Sequence, residues 1–284
     1  MIPIENKTNI HWFPGHMAKA MRLIQEQLKQ VDAVLEVCDA RAPLSTRNNE
    51  LTDLLGEKKR IVAYNKSSLA DDTITAKWTK YLMKTPDPFV FCDAMTHQGI
   101  KSLLTLLSQK RLVTKRYQRA ARIMVLGFPN VGKSMLINTL TRSSGAKTEN
   151  RPGVTRGNQW IRLSNELHMM DTPGILVPKI HRHEDAFVLA ALGSIKETVF
   201  DKYALCLEIL TFLKQRYPAL LQTRYKLSDL TLSEEMLLSD IARNRGLLIK
   251  GGETDIDRAS NMVFDEFKNG KIGKITLQLP PIKP

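Results

Sequence analysis

Short apolar runs alternate with amphipathic stretches through the first 175 residues of the chain. The apolar runs are rich in Val, Ile, Leu and Phe, which is typical of buried parallel strands. We predict strands at 32–40, 60–66, 88–94, 122–128, 160–164 and 166–171. Between them, the spacing of apolar positions predicts helices at 14–30, 72–83, 99–110 and 133–141. This alternation indicates an α/β fold with a doubly wound, mostly parallel sheet.

The strand pattern stops at about residue 183, and only helical periodicity follows it. Apolar positions at helical spacing recur at 184–193, 197–218, 233–246 and 255–270. Gly193, Gly246 and Gly270 stand where helices commonly end. We therefore predict two domains, an α/β domain at 1–182 and an all-α domain at 183–284.

The chain is strongly basic, with a formal net charge of +13, and most of the excess lies in the first two-thirds. A charge of this size favours a polyanionic partner such as RNA, although a basic surface without a partner is the simpler alternative. No run of about 18 uncharged apolar residues is present, so we expect no membrane partner. The three cysteines are widely separated, which predicts neither a disulfide framework nor a metal site. We expect a cytoplasmic protein, with an organellar matrix as the alternative.

The sequence GFPNVGKS at 127–134 fits the phosphate-loop pattern G-x-x-x-x-G-K-S. It follows a predicted strand and opens a predicted helix, which is the context that this motif requires. Gly127 and Gly132 allow backbone N–H groups to turn towards phosphates, and Lys133 supplies a positive charge for them. The Ser134 hydroxyl is a natural Mg²⁺ ligand. The sequence therefore predicts a nucleotide-binding protein.

A second phosphate-sensing element follows at 171–174, where DTPG ends a predicted strand. In a P-loop protein Asp171 would hold Mg²⁺, and the Gly174 amide would sense the terminal phosphate. The polar segment between the two motifs contains Thr155, which we predict as another Mg²⁺ ligand. This composition is typical of a switch loop that phosphate and metal order, although an ordinary surface loop is the alternative.

The base-reading elements precede the phosphate loop, which reverses the usual order. Asn65 and Lys66 end a predicted strand in NKSS, and Asp93 and Ala94 end the next strand in CDA. Base-reading loops usually have Asn-Lys-x-Asp, but here the fourth position is Ser68. Because contacts depend on spatial position, a circular permutation would preserve the site while changing the chain order.

These motifs together resemble the circularly permuted ribosome-assembly GTPases of the RbgA/YlqF type. The matching stretches are WFPGHMAKA at 12–20, DARAPLSTRN at 39–48, NK at 65–66, GFPNVGKS at 127–134, RPGVT at 151–155 and DTPGILVPK at 171–179. The resemblance implies a GTPase that uses GTP and GDP with Mg²⁺ and K⁺. It also implies binding to a precursor of the large ribosomal subunit, to its rRNA and to ribosomal proteins. The basic run KRLVTKRYQRAAR at 110–122 agrees with an RNA partner, although such a run alone is more often a solvated linker. We expect the helical domain at 183–284 to bind RNA and the protein to be a monomer.

The motifs and the resemblance together assign the roles of individual residues. His16 is expected to orient the attacking water, with Lys133 and Thr155 completing the catalytic set, although His16 could instead simply begin a helix. Asn130 is the expected K⁺ ligand. Nucleotide contacts are assigned to Asn65, Lys66, Ser68, Asp93, Ala94, Pro129, Asn130, Val131, Gly132, Lys133, Ser134, Met135, Thr155 and Gly174.

Two departures keep other functions open. Ile175 follows DTPG where many GTPases have a Gln that orients water, so we expect slow intrinsic hydrolysis that the ribosomal particle stimulates. Ser68 lacks the carboxylate that reads guanine, which leaves guanine selectivity uncertain. One alternative is therefore a non-hydrolysing or base-unselective RNA-binding module that depends on nucleotide. Another is an ATP-using small-molecule kinase, for which no acceptor pocket is evident.

Overall fold

A computed structural model describes Arg22 and residues 24–48, 54–56, 58–109, 120–144, 159–171 and 182–282. The chain divides into two compact units. Unit 1 comprises Met1–Ile180 together with Thr276–Pro284, and unit 2 comprises His181–Ile275. Within the described ranges, no helix is long and apolar enough to cross a membrane.

Unit 1 contains a six-stranded sheet in the order β3-β2-β1-β4-β6-β5. Its strands are β1 (Ala33–Asp39), β2 (Lys59–Asn65), β3 (Phe89–Phe91), β4 (Ala121–Leu126), β5 (Gln159–Ser164) and β6 (Leu167–Asp171). Neighbouring strands are parallel except for β5, which is antiparallel to β6. The sheet is the doubly wound, mostly parallel one that the sequence predicts, and each predicted strand is present within a few residues of its expected bounds.

The centre of the sheet brings the predicted motifs to one edge. Every residue of β1 is buried, which explains its nearly continuous apolar sequence. Asp39 at the end of β1 pairs in register with Asn65 at the end of β2. Because the carboxyl ends of parallel strands meet at the same edge, the loops after β1, β2, β3 and β4 come together there, where open α/β sheets bind ligands.

Three of the helices in unit 1 join these strands. They are α1 (Asp72–Leu82), α2 (Ile100–Leu107) and α3 (Lys133–Ser143), close to their predicted bounds. Asp71 caps α1, because its side chain accepts a hydrogen bond from the Ile74 N–H. Of the helix predicted at 14–30, Arg22 and residues 24–28 are helical, and 14–21 and Leu23 lie outside the described residues.

Unit 2 is helical, as predicted. Its helices are α4 (His183–Ala191), α5 (Lys202–Arg216), α6 (Pro218–Tyr225), α7 (Glu234–Asn244) and α8 (Ile256–Lys268). The helix expected at 197–218 begins later, at Lys202, because Asp201 caps α5, and Pro218 begins a separate helix, α6, that the apolar pattern did not predict. Buried apolar side chains from α5, α7 and α8 form the core of this unit.

The helical unit ends earlier than the helical domain predicted at 183–284. Residues 276–282, which we call the C-terminal segment, belong to unit 1. The Thr276 hydroxyl accepts a hydrogen bond from the Asp71 N–H at 3.0 Å, and the Leu277 N–H donates to the Arg41 carbonyl at 2.8 Å. These contacts attach the C-terminal segment to unit 1, although the helical unit precedes it in the chain.

Gln278 joins the C-terminal segment to the loop after β1 and to α1. Its Oε1 accepts hydrogen bonds from the N–H groups of Leu44 and Ser45 at 3.1 and 3.0 Å. Its Nε2 donates to Ser45 Oγ at 2.5 Å, and its carbonyl accepts from Trp78 Nε1 at 2.9 Å. The loop that follows β1 is therefore held by residues more than 230 positions away in the chain.

Candidate nucleotide-binding site

The phosphate loop occupies its predicted place between β4 and α3. A Cβ atom at Gly127 would lie 2.3 Å from the Val37 carbonyl oxygen, so the chain approaches β1 too closely for any other residue. Gly132 has φ 92°, and a Cβ there would lie 2.4 Å from Asn65 Nδ2. Both glycines are therefore required by backbone geometry. The loop delivers the first backbone N–H groups of α3 to the edge of the sheet, where an anion would find them.

Lys133 begins α3 and is buried at the base of the loop. Its Nζ donates a hydrogen bond to the Phe128 carbonyl at 2.8 Å. Burial lowers the pKa of Lys133 to about 8, and the nearby Asp171 carboxylate partly opposes this shift. Lys133 and Asp171 therefore act on each other electrostatically, as residues from a phosphate loop and a DTPG motif are expected to do.

Asn65 connects three separate loops. Its Nδ2 donates to the Val131 carbonyl at 2.9 Å, and its Oδ1 accepts from the Ala94 N–H at 3.0 Å. The Ala94 carbonyl in turn accepts from Thr139 Oγ1 on α3 at 2.9 Å. The two predicted base-reading loops are thus joined to the phosphate loop by one buried side chain. This is the arrangement that a circular permutation would preserve.

Lys66 also contacts the phosphate loop. Its Nζ donates to the Asn130 carbonyl at 2.6 Å and lies 3.2 Å from an Asp39 carboxylate oxygen. Lys66 and Asn130 both have left-handed backbone conformations, with φ 60° and 61°. For residues other than glycine this conformation is uncommon, and it is concentrated at functional sites. Lys66 therefore ties the base-reading loop to the phosphate loop a second time.

Asp39 and Arg41, which belong to the matching stretch at 39–48 but were assigned no role in the site, form a buried ion pair. Arg41 Nε and Nη2 lie 3.0 and 2.9 Å from the two Asp39 carboxylate oxygens. Burial raises the pKa of Asp39, but the positive charges of Arg41 and Lys66 outweigh it and hold the pKa well below its ordinary value. The Ala40 N–H donates to the Asn65 carbonyl at 2.8 Å. An Asp at a strand end followed two residues later by Arg was the available signal.

Ser68 and Asp93 contact each other directly. The Ser68 hydroxyl donates to Asp93 Oδ2 at 2.5 Å, and the Ser68 N–H approaches the same oxygen at 3.3 Å. Asp93 Oδ1 accepts from the N–H groups of Met95 and Thr96 at 2.8 and 2.9 Å. Burial raises the pKa of Asp93, but these hydrogen bonds outweigh it and lower the pKa, so the carboxylate stays charged. A carboxylate is therefore present beside the first base-reading loop, contributed by the loop that follows β3.

Some of the other predicted site residues lie within the described parts of the chain, and some lie outside them. Ser134 and Met135 lie exposed in the first turn of α3, and Pro129, Asn130 and Val131 lie in the phosphate loop. Asp171 ends β6. His16, Thr155, Gly174 and Ile175 lie outside the described residues, as does most of the basic run at 110–122. Their predicted roles stay predictions.

Comparisons with known proteins give a consistent result. The family described as 50S ribosome-binding GTPases matches residues 122–230. Ribosome biogenesis GTPase A of Bacillus cereus is 40% identical over 278 residues, covering 95% of this chain and 94% of the relative. The GDP-bound structure of TM YlqF superposes with a TM-score of 0.71 at 30% identity, covering 91% of this chain and 99% of that chain. GNP-bound YlqF from T. maritima gives a TM-score of 0.67 at 31% identity, over 92% and 98% of the two chains.

Proposed function

This chain belongs to the ribosome biogenesis GTPase A family, and on that basis we propose that it is a GTP-hydrolysing assembly factor for the large ribosomal subunit. The resemblance and the permuted α/β fold inferred from the sequence are confirmed. The observation that carries the proposal is the side chain of Asn65, which joins both base-reading loops to the phosphate loop. That bond network assembles a nucleotide site from motifs in reversed chain order.

Phosphate binding follows from the geometry of the loop. The terminal phosphates would take the place of the Phe128 carbonyl at Lys133 Nζ, while the N–H groups at the start of α3 hold the remaining oxygens. A phosphate offers Lys133 a full negative charge in place of a neutral carbonyl, which favours the protonated amine. Binding therefore offsets the penalty that burial places on the charged form of Lys133.

The metal site fits hard oxygen ligands. Within the described parts of the chain, no group of three or more His, Cys, Asp and Glu side chains could hold a metal ion. Mg²⁺ usually takes one or two protein oxygens and completes its shell with phosphates and water. We assign Ser134, Asp171 and Thr155 to it, and Asn130 to K⁺. When bound, these cations would neutralise charge that develops on the phosphates.

The hydrolytic step depends on residues from the N-terminal stretch at 12–20, from the switch loop and from the DTPG motif. We propose that His16 orients the attacking water and that the Gly174 amide responds to the terminal phosphate. With Ile175 unable to orient water, intrinsic turnover is slow, and the ribosomal particle stimulates it. Lys133 would stabilise charge on the phosphates, and Thr155 would help to hold the Mg²⁺ that does the same.

The partner surface follows from charge. The net charge of +13 and its concentration before the helical unit support binding to rRNA in the precursor particle. We propose that the helical unit also contacts rRNA, that ribosomal proteins lie nearby, and that the protein acts as a cytoplasmic monomer. Binding should weaken steeply as the salt concentration rises.

The test is phosphate release from GTP with and without purified large-subunit precursor particles. We expect the particles to stimulate turnover and Lys133→Ala to abolish it. Lys101→Ala, an equal change on the exposed face of α2, is the matched control and should retain turnover. Turnover that precursor particles leave unchanged, or that survives Lys133→Ala, would contradict the proposal.

A further inference from the structure

We propose that Asp93 is the carboxylate that reads the guanine base, in place of the one missing at Ser68. Because the inference rests on the proposed function, it assumes that GTP is the nucleotide bound. The two residues then represent an exchange between neighbouring loops, with the hydroxyl on the first loop and the carboxylate on the second.

Guanine requires an acceptor of this kind. Its edge presents two adjacent donors, the N1–H and the 2-amino group, and an ionised carboxylate only accepts hydrogen bonds, with about two lone-pair sites on each oxygen. Hydrogen bonds to charged groups are also the stronger class. Adenine presents an acceptor at N1 and no amino group at C2, so a carboxylate disfavours it. A serine hydroxyl, with one donor and no charge, cannot make this discrimination alone.

The two loops are held in a fixed register. The Ser67 N–H donates to the Cys92 carbonyl at 3.0 Å, the Ser68 hydroxyl to Asp93 at 2.5 Å, and the Ala94 N–H to Asn65 Oδ1 at 3.0 Å. The Asp93 carboxylate is thereby brought to the position of the side chain at 68.

Neighbouring carboxylates have other roles. Asp39 is held between Arg41 and Lys66, and Asp71 caps α1. Asp93 is buried, and its hydrogen bonds lower its pKa, so it stays charged. Its two carboxylate oxygens have different partners. Two backbone N–H groups fix Oδ1 and so orient the side chain.

Oδ2 is the oxygen that can exchange its partners. It accepts from the Ser68 hydroxyl, which can rotate, and from the Ser68 N–H at the longer distance of 3.3 Å. Ser68 is half-buried, whereas Asp93 is buried. We therefore expect the guanine donors to bind at Oδ2 and the hydroxyl to turn and support them.

The test is a reciprocal exchange, read out by calorimetric titration with non-hydrolysable GTP, ITP, XTP and ATP analogues. ITP lacks the 2-amino group, and XTP has a carbonyl at C2. Asp93→Ser removes both charged hydrogen bonds, and GTP affinity should fall by roughly a hundredfold. The double variant Ser68→Asp/Asp93→Ser returns the carboxylate from the other loop and should recover most of that loss.

Two further variants sharpen the result. Asp93→Asn presents a donor, so its preference should move from GTP to XTP. Ser68→Asp alone places two carboxylates together and should bind GTP more weakly than the double variant. Asp72→Asn, the same change at an exposed carboxylate, is the matched control and should leave every affinity unchanged. Melting temperatures check that each variant is folded.

The outcomes separate this inference from the proposed function. If wild type binds GTP through Lys133, as a loss with Lys133→Ala would indicate, and Asp93→Ser and Asp93→Asn leave the GTP, ITP and XTP ratios unchanged, the assignment of Asp93 is wrong and the GTPase stands. If wild type binds GTP and ATP equally, the protein is base-unselective and the assignment is also wrong. If wild type binds no nucleotide through Lys133, the proposed function itself fails.

Discussion

Removing the side chain of Gln278 should destabilise unit 1, although this residue lies far from the nucleotide site in sequence. Gln278→Ala deletes two hydrogen bonds to the N–H groups of Leu44 and Ser45 and a third to the Ser45 hydroxyl. The Gln278 carbonyl, which accepts from Trp78, is retained. Each net hydrogen bond contributes about 1 kcal/mol. Because the site is part-buried and water can replace some partners, we expect a loss of about 2 kcal/mol in the free energy of unfolding.

The chain provides a selective probe for this measurement. All three tryptophans precede residue 181, so urea unfolding followed by tryptophan fluorescence reports on unit 1. Gln278→Glu keeps an acceptor for both N–H groups, and the Ser45 hydroxyl can turn to donate, so its loss should be under about 1 kcal/mol. Gln222→Ala, an equal truncation at an exposed position of α6, should change nothing. A Gln278→Ala variant within about 0.5 kcal/mol of wild type would refute the reasoning.

Three other predictions follow from the site. The pKa of about 8 at Lys133 predicts proton uptake when phosphates bind, because they raise that pKa; affinity should be full below pH 8 and fall by up to about tenfold per pH unit above it. Calorimetry from pH 7 to 9.5 measures this, and a flat profile contradicts it. Gly132→Ala should reduce nucleotide affinity by at least about tenfold, since the added Cβ would collide with the Asn65 side-chain amide. Gly246→Ala, with φ 66° but open space, is the control; equal losses of affinity would remove the steric argument. Finally, burial raises the pKa of all three cysteine thiols, so iodoacetamide should label them only after unfolding, and rapid labelling of the native protein would disagree.

Most of the fold could be predicted from local pattern. The strands of unit 1 are continuous apolar runs with polar ends, and the phosphate loop has a motif in which each residue has a stated physical task. Asn65 was predicted as a base contact from its place at the end of β2. Its bond to Val131 depends on the packing of distant loops, which single-sequence reasoning does not reach.

The parts that were missed depend on tertiary contacts. The sequence indicates at Ser68 the loss of the base-reading carboxylate, because the Asn-Lys-x-Asp pattern places that carboxylate at a fixed spacing on one loop. The structure places the carboxylate of Asp93 beside it, from the loop after β3, a strand that neighbours β2 only in the folded sheet. The C-terminal segment carries no periodicity, so nothing in its sequence indicated that Gln278 holds the loop after β1.

The return of the C-terminal segment to unit 1 also imposes an order on biosynthesis. Domains fold as they emerge, from the N-terminus onward. Residues 276–282 are translated after the other described parts of unit 1, so Leu44, Ser45 and Trp78 gain their partners late in synthesis. The helical unit is translated in between. The loop after β1 therefore gains these hydrogen bonds only after the helical unit has been translated, and deleting residues 276–282 would leave that loop without them.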